Sequence, residues 1–203
     1  MATLESQFGG IDIYLFDQLQ RGRIMASMTV LEAGCGEGRN LVYMLRQGFQ
    51  VFGVDESPQA IRSVQALAAQ LAPQLPAENF RVETVEGMTL DEGLADVVIC
   101  CAVLHFARDE AHFDAMLRSI WRVLRPGGLF FCRLASSIGM EDRVQRIAGR
   151  RFLLPDGTER FLVDEPMLLQ RTAELGGVLL DPLKTTIVQD RRCMTTWVLR
   201  RTA

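Results

Sequence analysis

Lysine is almost missing from this 203-residue chain: Lys184 stands alone against 21 arginines, and His105 and His112 are the only histidines. A lopsided base composition in the coding sequence can produce that bias, so it assigns no function. Cysteine is scarce too. Cys35, Cys100, Cys101, Cys132 and Cys193 are odd in number and form no C-x-x-C pair. That excludes a disulfide framework and a zinc site, and reads as a reduced, cytoplasmic pattern. No metal-ligand cluster is visible. No apolar run reaches the ~18 residues of a membrane span. The N-terminus carries Glu5 and Asp12 where a secretory signal would be basic and then apolar. A formal charge of −3 argues against a generic nucleic-acid binder, which needs a basic surface. Neither an Asn-Pro-Pro-aromatic tetrapeptide nor a Pro-Cys nucleophile is present. Repeats, low-complexity tracts and linkers are missing as well, so the length reads as one domain over 1–203.

What is present is alternation. Met28 to Ala33, Gln50 to Val54 and Phe80 to Val85 read as strands. Asp96 to Cys101 and Leu129 to Leu134 complete a set of five. Helical patterns separate them, at Asn40 to Gln47, from Ser57-Pro58 to about Leu71, and from Asp109 through Phe113, Met116, Leu117, Ile120 and Leu124. Ser57 and Asp109 are N-cap residues, and Pro58 suits a first helical position. Arg125-Pro126-Gly127-Gly128 reads as a helix stop and turn. The continuous apolar run after Asp96 is what a strand buried on both faces requires. Strands alternating with helices imply a doubly wound α/β fold. The flanks differ: Ile11 to Ile24 makes a helical cover within 1–25. Residues 135–176 read as an insertion with a hairpin around Pro155-Asp156-Gly157 and a helix from Asp164. Val178 to Val188 and Cys193 to Arg200 pair as a terminal hairpin.

The most informative stretch is Val30 to Asn40, where Gly34, Gly36 and Gly38 follow an apolar strand and precede a helix. Glycine tolerates positive φ and lets a ligand lie on the backbone. A dinucleotide turn would read G-x-G-x-x-G. Here the third glycine comes one residue early. With Glu32 two residues before the first glycine, the segment resembles the first motif of class I S-adenosylmethionine-dependent methyltransferases. The resemblance extends from Met28 to about Arg201. It implies a Rossmann-like, seven-stranded, mostly parallel sheet with a C-terminal antiparallel hairpin.

The same resemblance implies where S-adenosylmethionine would sit: at the carboxyl ends of the strands, where their order switches. Glu32, Gly34, Cys35, Gly36 and Gly38 would face the methionine moiety. Asp55 would accept from the ribose hydroxyls, with Glu56 beside it. Glu86 stands where the family usually has Asp, and it would take the adenine amino group while Gly87 and Met88 border the ring. Arg39, in the first turn of the following helix, opposes the macrodipole by up to ~1 kcal/mol unless an anion offsets it. Cys101 and Ala102 would border the cofactor after the fourth strand. His105 is the one candidate general base, since an imidazole near pKa ~6.5 suits that work. His112 reads as a solvated helix residue. Tyr14 and Arg133 are candidates for an acceptor pocket. The expected partner is a small-molecule acceptor, not nucleic acid or a membrane, with the protein a monomer or homodimer. Two alternatives stand beside transfer: a non-catalytic S-adenosylmethionine-binding regulatory protein, and a NAD-dependent oxidoreductase, which the glycine spacing disfavours.

Overall fold

The computed structural model describes residues 3–202. Helices α1 (Leu4–Phe8) and α2 (Ile13–Gln20) form the N-terminal cover, and Asp12 caps α2 by accepting from the Tyr14 N–H. Strand β1 (Thr29–Ala33), helix α3 (Val42–Arg46), strand β2 (Gln50–Asp55) and helix α4 (Pro58–Leu71) follow. Next come β3 (Phe80–Val82), β4 (Ala95–Cys101), α5 (Glu110–Val123) and β5 (Leu124–Ala135). Ser57 and Asp109 cap α4 and α5 as their chemistry requires, with Pro58 opening α4.

The insertion is richer than one hairpin. Strands β6 (Gln145–Ala148), β7 (Arg151–Leu153) and β8 (Glu159–Phe161) make a separate antiparallel sheet, followed by α6 (Glu165–Glu174). The expected strand over Val178 to Val188 is interrupted. It forms β9 (Gly177–Leu179) and β10 (Lys184–Val188), both pairing with one edge of β11 (Arg192–Arg201). Pro182 has no N–H to give to a ladder. Its neighbour Asp181 turns inward to bind the Arg23 guanidinium at 2.7 Å.

The main sheet runs β10-β11-β5-β4-β1-β2-β3, so eight segments fill seven positions. Its parallel pairs are β1–β2, β1–β4, β2–β3 and β4–β5, while β11 lies antiparallel to β5. Arg125 to Gly128 does not precede β5 as expected but bulges within it, since Ala95 pairs with Leu124 and Val97 already with Leu129. Side chains alternate between two cores. Leu31, Val98, Phe130 and Trp197 pack under α5 and α6, while Val30, Val97, Phe131 and Val198 pack under α2, α3 and α4. The strand order reverses at β1, with β2 on one side and β4 on the other. A crevice therefore opens at the carboxyl ends of these strands.

Candidate active site

The turn after β1 is tied to β2 from both sides. The N–H groups of Gly34 and Cys35 donate to the Val54 carbonyl at 2.8 and 2.9 Å. The Gly36 N–H donates to Asp55 Oδ2 at 2.9 Å, and the Ser57 N–H to Oδ1 at 2.9 Å. Each Asp55 oxygen keeps a further lone pair for a ligand hydroxyl. The three glycines do different work. A Cβ on Gly34 would meet Val103 at 2.3 Å, and one on Gly38 would meet Val64 at 2.8 Å. Gly36, at φ +51°, faces open space. Two of them are close-packing positions, and one presents bare backbone to a cavity.

That cavity has a volume of about 620 Å3, within the range of small-molecule sites. Glu32, Gly34, Cys35, Gly36, Arg39 and Asp55 line it, as do Glu56, Glu86, Cys101 and Ala102. The other sequence candidates fall elsewhere. Gly38 packs behind the turn. Gly87 lies against Thr84, and Met88 belongs to the core, its carbonyl held by Arg122 at 2.7 Å. The Met88 side chain, expected beside the adenine ring or in the core, packs in the core. Tyr14 reaches neither this cavity nor the next: its ring lies against the Arg133 guanidinium at 5.6 Å and its hydroxyl meets Thr186 Oγ1 at 2.8 Å. Arg39 precedes α3 instead of occupying its first turn, which removes the macrodipole argument. Its guanidinium donates to the Gly10 carbonyl at 3.2 Å and lies 3.3 Å from Cys101 Sγ.

Glu32 is the most unusual group in the site. It is 2% exposed; Oε1 accepts from Asn40 Nδ2 at 2.6 Å, and Oε2 is buried without a partner. Burial pushes its carboxyl up to about 8, although Asn40 and the Arg39 charge pull the other way. The free protein therefore binds this proton where the unfolded chain does not. Its stability falls as pH rises from the ordinary carboxylate range through about 8. Burial likewise pushes the Cys101 thiol up to about 12, so it is no thiolate nucleophile.

A buried polar chain joins this end of the sheet to the N-terminal cover. Asn40 Oδ1 accepts from the Asp12 N–H at 2.9 Å, and Asp12 Oδ2 accepts from Arg133 at 2.9 Å. Sequence reasoning placed Asn40 at a helix start and assigned it no role in the site. His112, expected in solvent, lines the cavity instead. Its Nδ1 accepts from the Arg108 N–H at 3.1 Å, and its Nε2 stands 3.1 Å from Glu86 Oε1, off the line of a hydrogen bond. Burial alone would raise the Glu86 carboxyl, but its own backbone N–H and the imidazole outweigh that and hold it low.

Ala102 separates this cavity from a second one of about 250 Å3, which it also lines. At φ +63° it adopts a left-handed backbone that costs a non-glycine residue roughly 1–2 kcal/mol. Its N–H donates to the Arg133 carbonyl at 2.7 Å, which holds it there. His105 and Arg133 line the second cavity. His105 Nδ1 accepts from the Ala135 N–H at 3.2 Å, and burial with the Arg160 charge depresses its pKa to about 4. A neutral imidazole with Nδ1 occupied carries its proton on Nε2 and has no free lone pair. In this arrangement Nε2–H is placed to donate, and the expected general base has its Nδ1 lone pair already engaged.

A parallel sheet with a glycine turn after its central strand and an acid closing the next strand defines a cofactor-binding α/β protein. The chain matches the methyltransferase-domain family over residues 31–132, half its length, and belongs to the class I S-adenosylmethionine-dependent methyltransferases. The ubiquinone biosynthesis O-methyltransferase of Methylobacterium sp. (strain 4-46) is 30% identical over 162 residues, covering 77% of this chain and 61% of that relative. This chain thus spans about three fifths of the relative's length. An S-adenosylmethionine-dependent methyltransferase of Methanosarcina mazei superposes with a TM-score of 0.74 at 17% identity, over 91% of this chain and 97% of that one. The Burkholderia thailandensis 1,6-didemethyltoxoflavin-N1-methyltransferase, solved with 1,6-didemethyltoxoflavin and S-adenosylhomocysteine, gives 0.70 at 20% identity, over 97% and 80%. Such distant likenesses establish the fold. The cofactor of the family is S-adenosylmethionine.

Proposed function

We propose that this chain, as a single domain, transfers the methyl group of S-adenosylmethionine to an oxygen of a small-molecule acceptor. The observation that carries this reading is the 620 Å3 cavity lined by Glu32, whose Oε2 is buried without a partner. A cationic ammonium answers that oxygen, the bare Gly36 backbone admits a close ligand, and the lone pairs of Asp55 suit ribose hydroxyls. When bound, the cofactor supplies a methyl activated by its sulfonium.

The chain's residues then have to hold, align and desolvate. Asp55 fixes the turn and Glu32 fixes the cationic end. The strained Ala102 brings backbone close to both cavities. Proximity can supply ~7–11 kcal/mol of the barrier in favourable cases, so a dedicated base is not required. An oxygen acceptor is supported by the Methylobacterium relative, named as an O-methyltransferase. Incubation with methyl-labelled S-adenosylmethionine and a panel of phenols, carboxylic acids, amines and thiols tests this. Label transferred to an oxygen is the expected result; S-adenosylhomocysteine binding with no transfer to any acceptor would favour the non-catalytic alternative.

Glu32 gives a second check. At pH 7 its carboxyl is largely protonated in the free protein, and a cation beside Oε2 stabilises the ionised form. Binding of S-adenosylhomocysteine should therefore release close to one proton at pH 7 and almost none at pH 9. Calorimetry in buffers of different ionisation heat reads this directly, and Glu32→Gln should erase the release. Binding with no proton release in the wild type would remove Glu32 from the ligand's cationic end.

A further inference from the structure

The second cavity holds more positive charge than its surroundings use. Arg133 is neutralised by Asp12 at 2.9 Å. Arg160 has no such partner: it donates to the Glu159 carbonyl at 2.7 Å, and its guanidinium lies over the Phe106 ring at 4.9 Å. Among the described residues no carboxylate comes within 4 Å of Arg160 or Arg192. The one acid lining the cavity, Asp156, commits a carboxylate oxygen to the Thr158 N–H and hydroxyl at 3.0 and 2.6 Å. Two guanidiniums therefore face one carboxylate, whose Oδ1 is tied into its own turn and whose charge both arginines help hold, leaving one positive charge in excess. His105 adds an Nε2–H donor and no charge, since its Nδ1 accepts from the Ala135 N–H.

The elements that carry these groups come from far apart in the chain. Arg160 lies on β8, and Arg192 opens β11 after the turn at Gln189 and Asp190, both at positive φ. Leu154 and Met194 supply apolar wall. The volume, about 250 Å3, lies below the ~300–1,000 Å3 typical of drug-sized ligands. It suits a compact body of about one ring.

We propose that this cavity binds the methyl acceptor, and that the acceptor is a small carboxylate with a compact apolar body, held by Arg160 and Arg192 with His105 donating to it. The inference rests on the methyl-transfer reading, because it takes the second cavity to be the acceptor's, next to the cofactor's across Ala102. Arginine suits this task because its planar fork meets a carboxylate with two parallel hydrogen bonds. Two flanking guanidiniums also favour ionisation of a nearby hydroxyl, which lessens the need for a base.

The test uses the full chain saturated with S-adenosylhomocysteine and two matched pairs of probes, benzoate with benzamide and phenylacetate with phenylacetamide. Titration by ligand-observed NMR should show at least one carboxylate binding tenfold or more tightly than its amide, with the preference shrinking as salt is added. Arg160→Gln and Arg192→Gln should each cut that preference severalfold. Arg146→Gln, on the exposed strand β6 away from the cavity, should keep it. Equal affinity of acid and amide in both pairs, no binding of either acid, or a preference that survives both substitutions would overturn the proposal. S-adenosylhomocysteine affinity, measured on the same samples, separates the two readings. If it is present while the probes fail, only the acceptor assignment falls; if it is missing, the methyl-transfer reading falls.

Discussion

Gly36→Val is expected to abolish S-adenosylhomocysteine binding in a protein that still folds. The Gly36 Cβ position is empty for 4 Å around, and the residue borders the 620 Å3 cavity. A branched side chain there enters ligand space and also resists φ +51°, at roughly 1–2 kcal/mol. That strain is a cost to the fold; the loss of affinity comes from the side chain occupying the ligand's place, and a drop above 100-fold, about 2.7 kcal/mol, is the expected reading by calorimetry. The comparison with Gly34→Val is what gives the experiment its force. A side chain at Gly34 runs into Val103 at 2.3 Å as well as resisting φ +76°, so that variant should lose far more thermal stability than Gly36→Val, whose backbone strain alone costs a few degrees. A folded Gly36→Val protein with undiminished affinity would mean that the ligand does not lie on this turn.

Asp55→Ala should be the second largest effect. The carboxylate holds the Gly36 and Ser57 N–H groups and keeps lone pairs for a ligand. Its removal deletes charge-assisted hydrogen bonds to the ligand, of the order of 1.5–3 kcal/mol, and releases the turn that presents Gly36. Affinity should fall roughly 10- to 150-fold. Asp55→Asn keeps one acceptor oxygen and should fall between the wild type and Ala. An alanine variant with wild-type affinity would show that Asp55 serves the turn alone.

Much of the fold was legible because its signals are local. Ser57 and Asp109 start their helices through contacts three residues away, and the continuous apolar run of β4 declares burial on both faces. Five strands and a terminal hairpin followed from those signals, and the resemblance joined them into one seven-position sheet. The extra strand β6 carried none, since Gln145 to Ala148 are all exposed and show no alternation. The break between β9 and β10 depends on Asp181 finding Arg23, 158 residues away.

In the site, the glycine turn, Glu32, Asp55 and Glu86 were readable from a motif and from strand ends. What escaped is made by side chains meeting across the fold. Asn40 reaches back 28 residues to Asp12, and Asp12 forward 121 residues to Arg133. His112 was assigned to solvent because it sits beside the apolar stripe of α5, yet that edge of the helix faces Glu86. His105 lies beside the second cavity. The Ala135 N–H that occupies its Nδ1 belongs to a strand end 30 residues away, which no spacing rule could supply.

The most direct test of the central claim is a calorimetric titration of the purified chain with S-adenosylhomocysteine, repeated in the presence of excess NAD. One site per chain and an unchanged affinity with NAD present is the predicted result. Heat of binding from NAD with none from S-adenosylhomocysteine would contradict it.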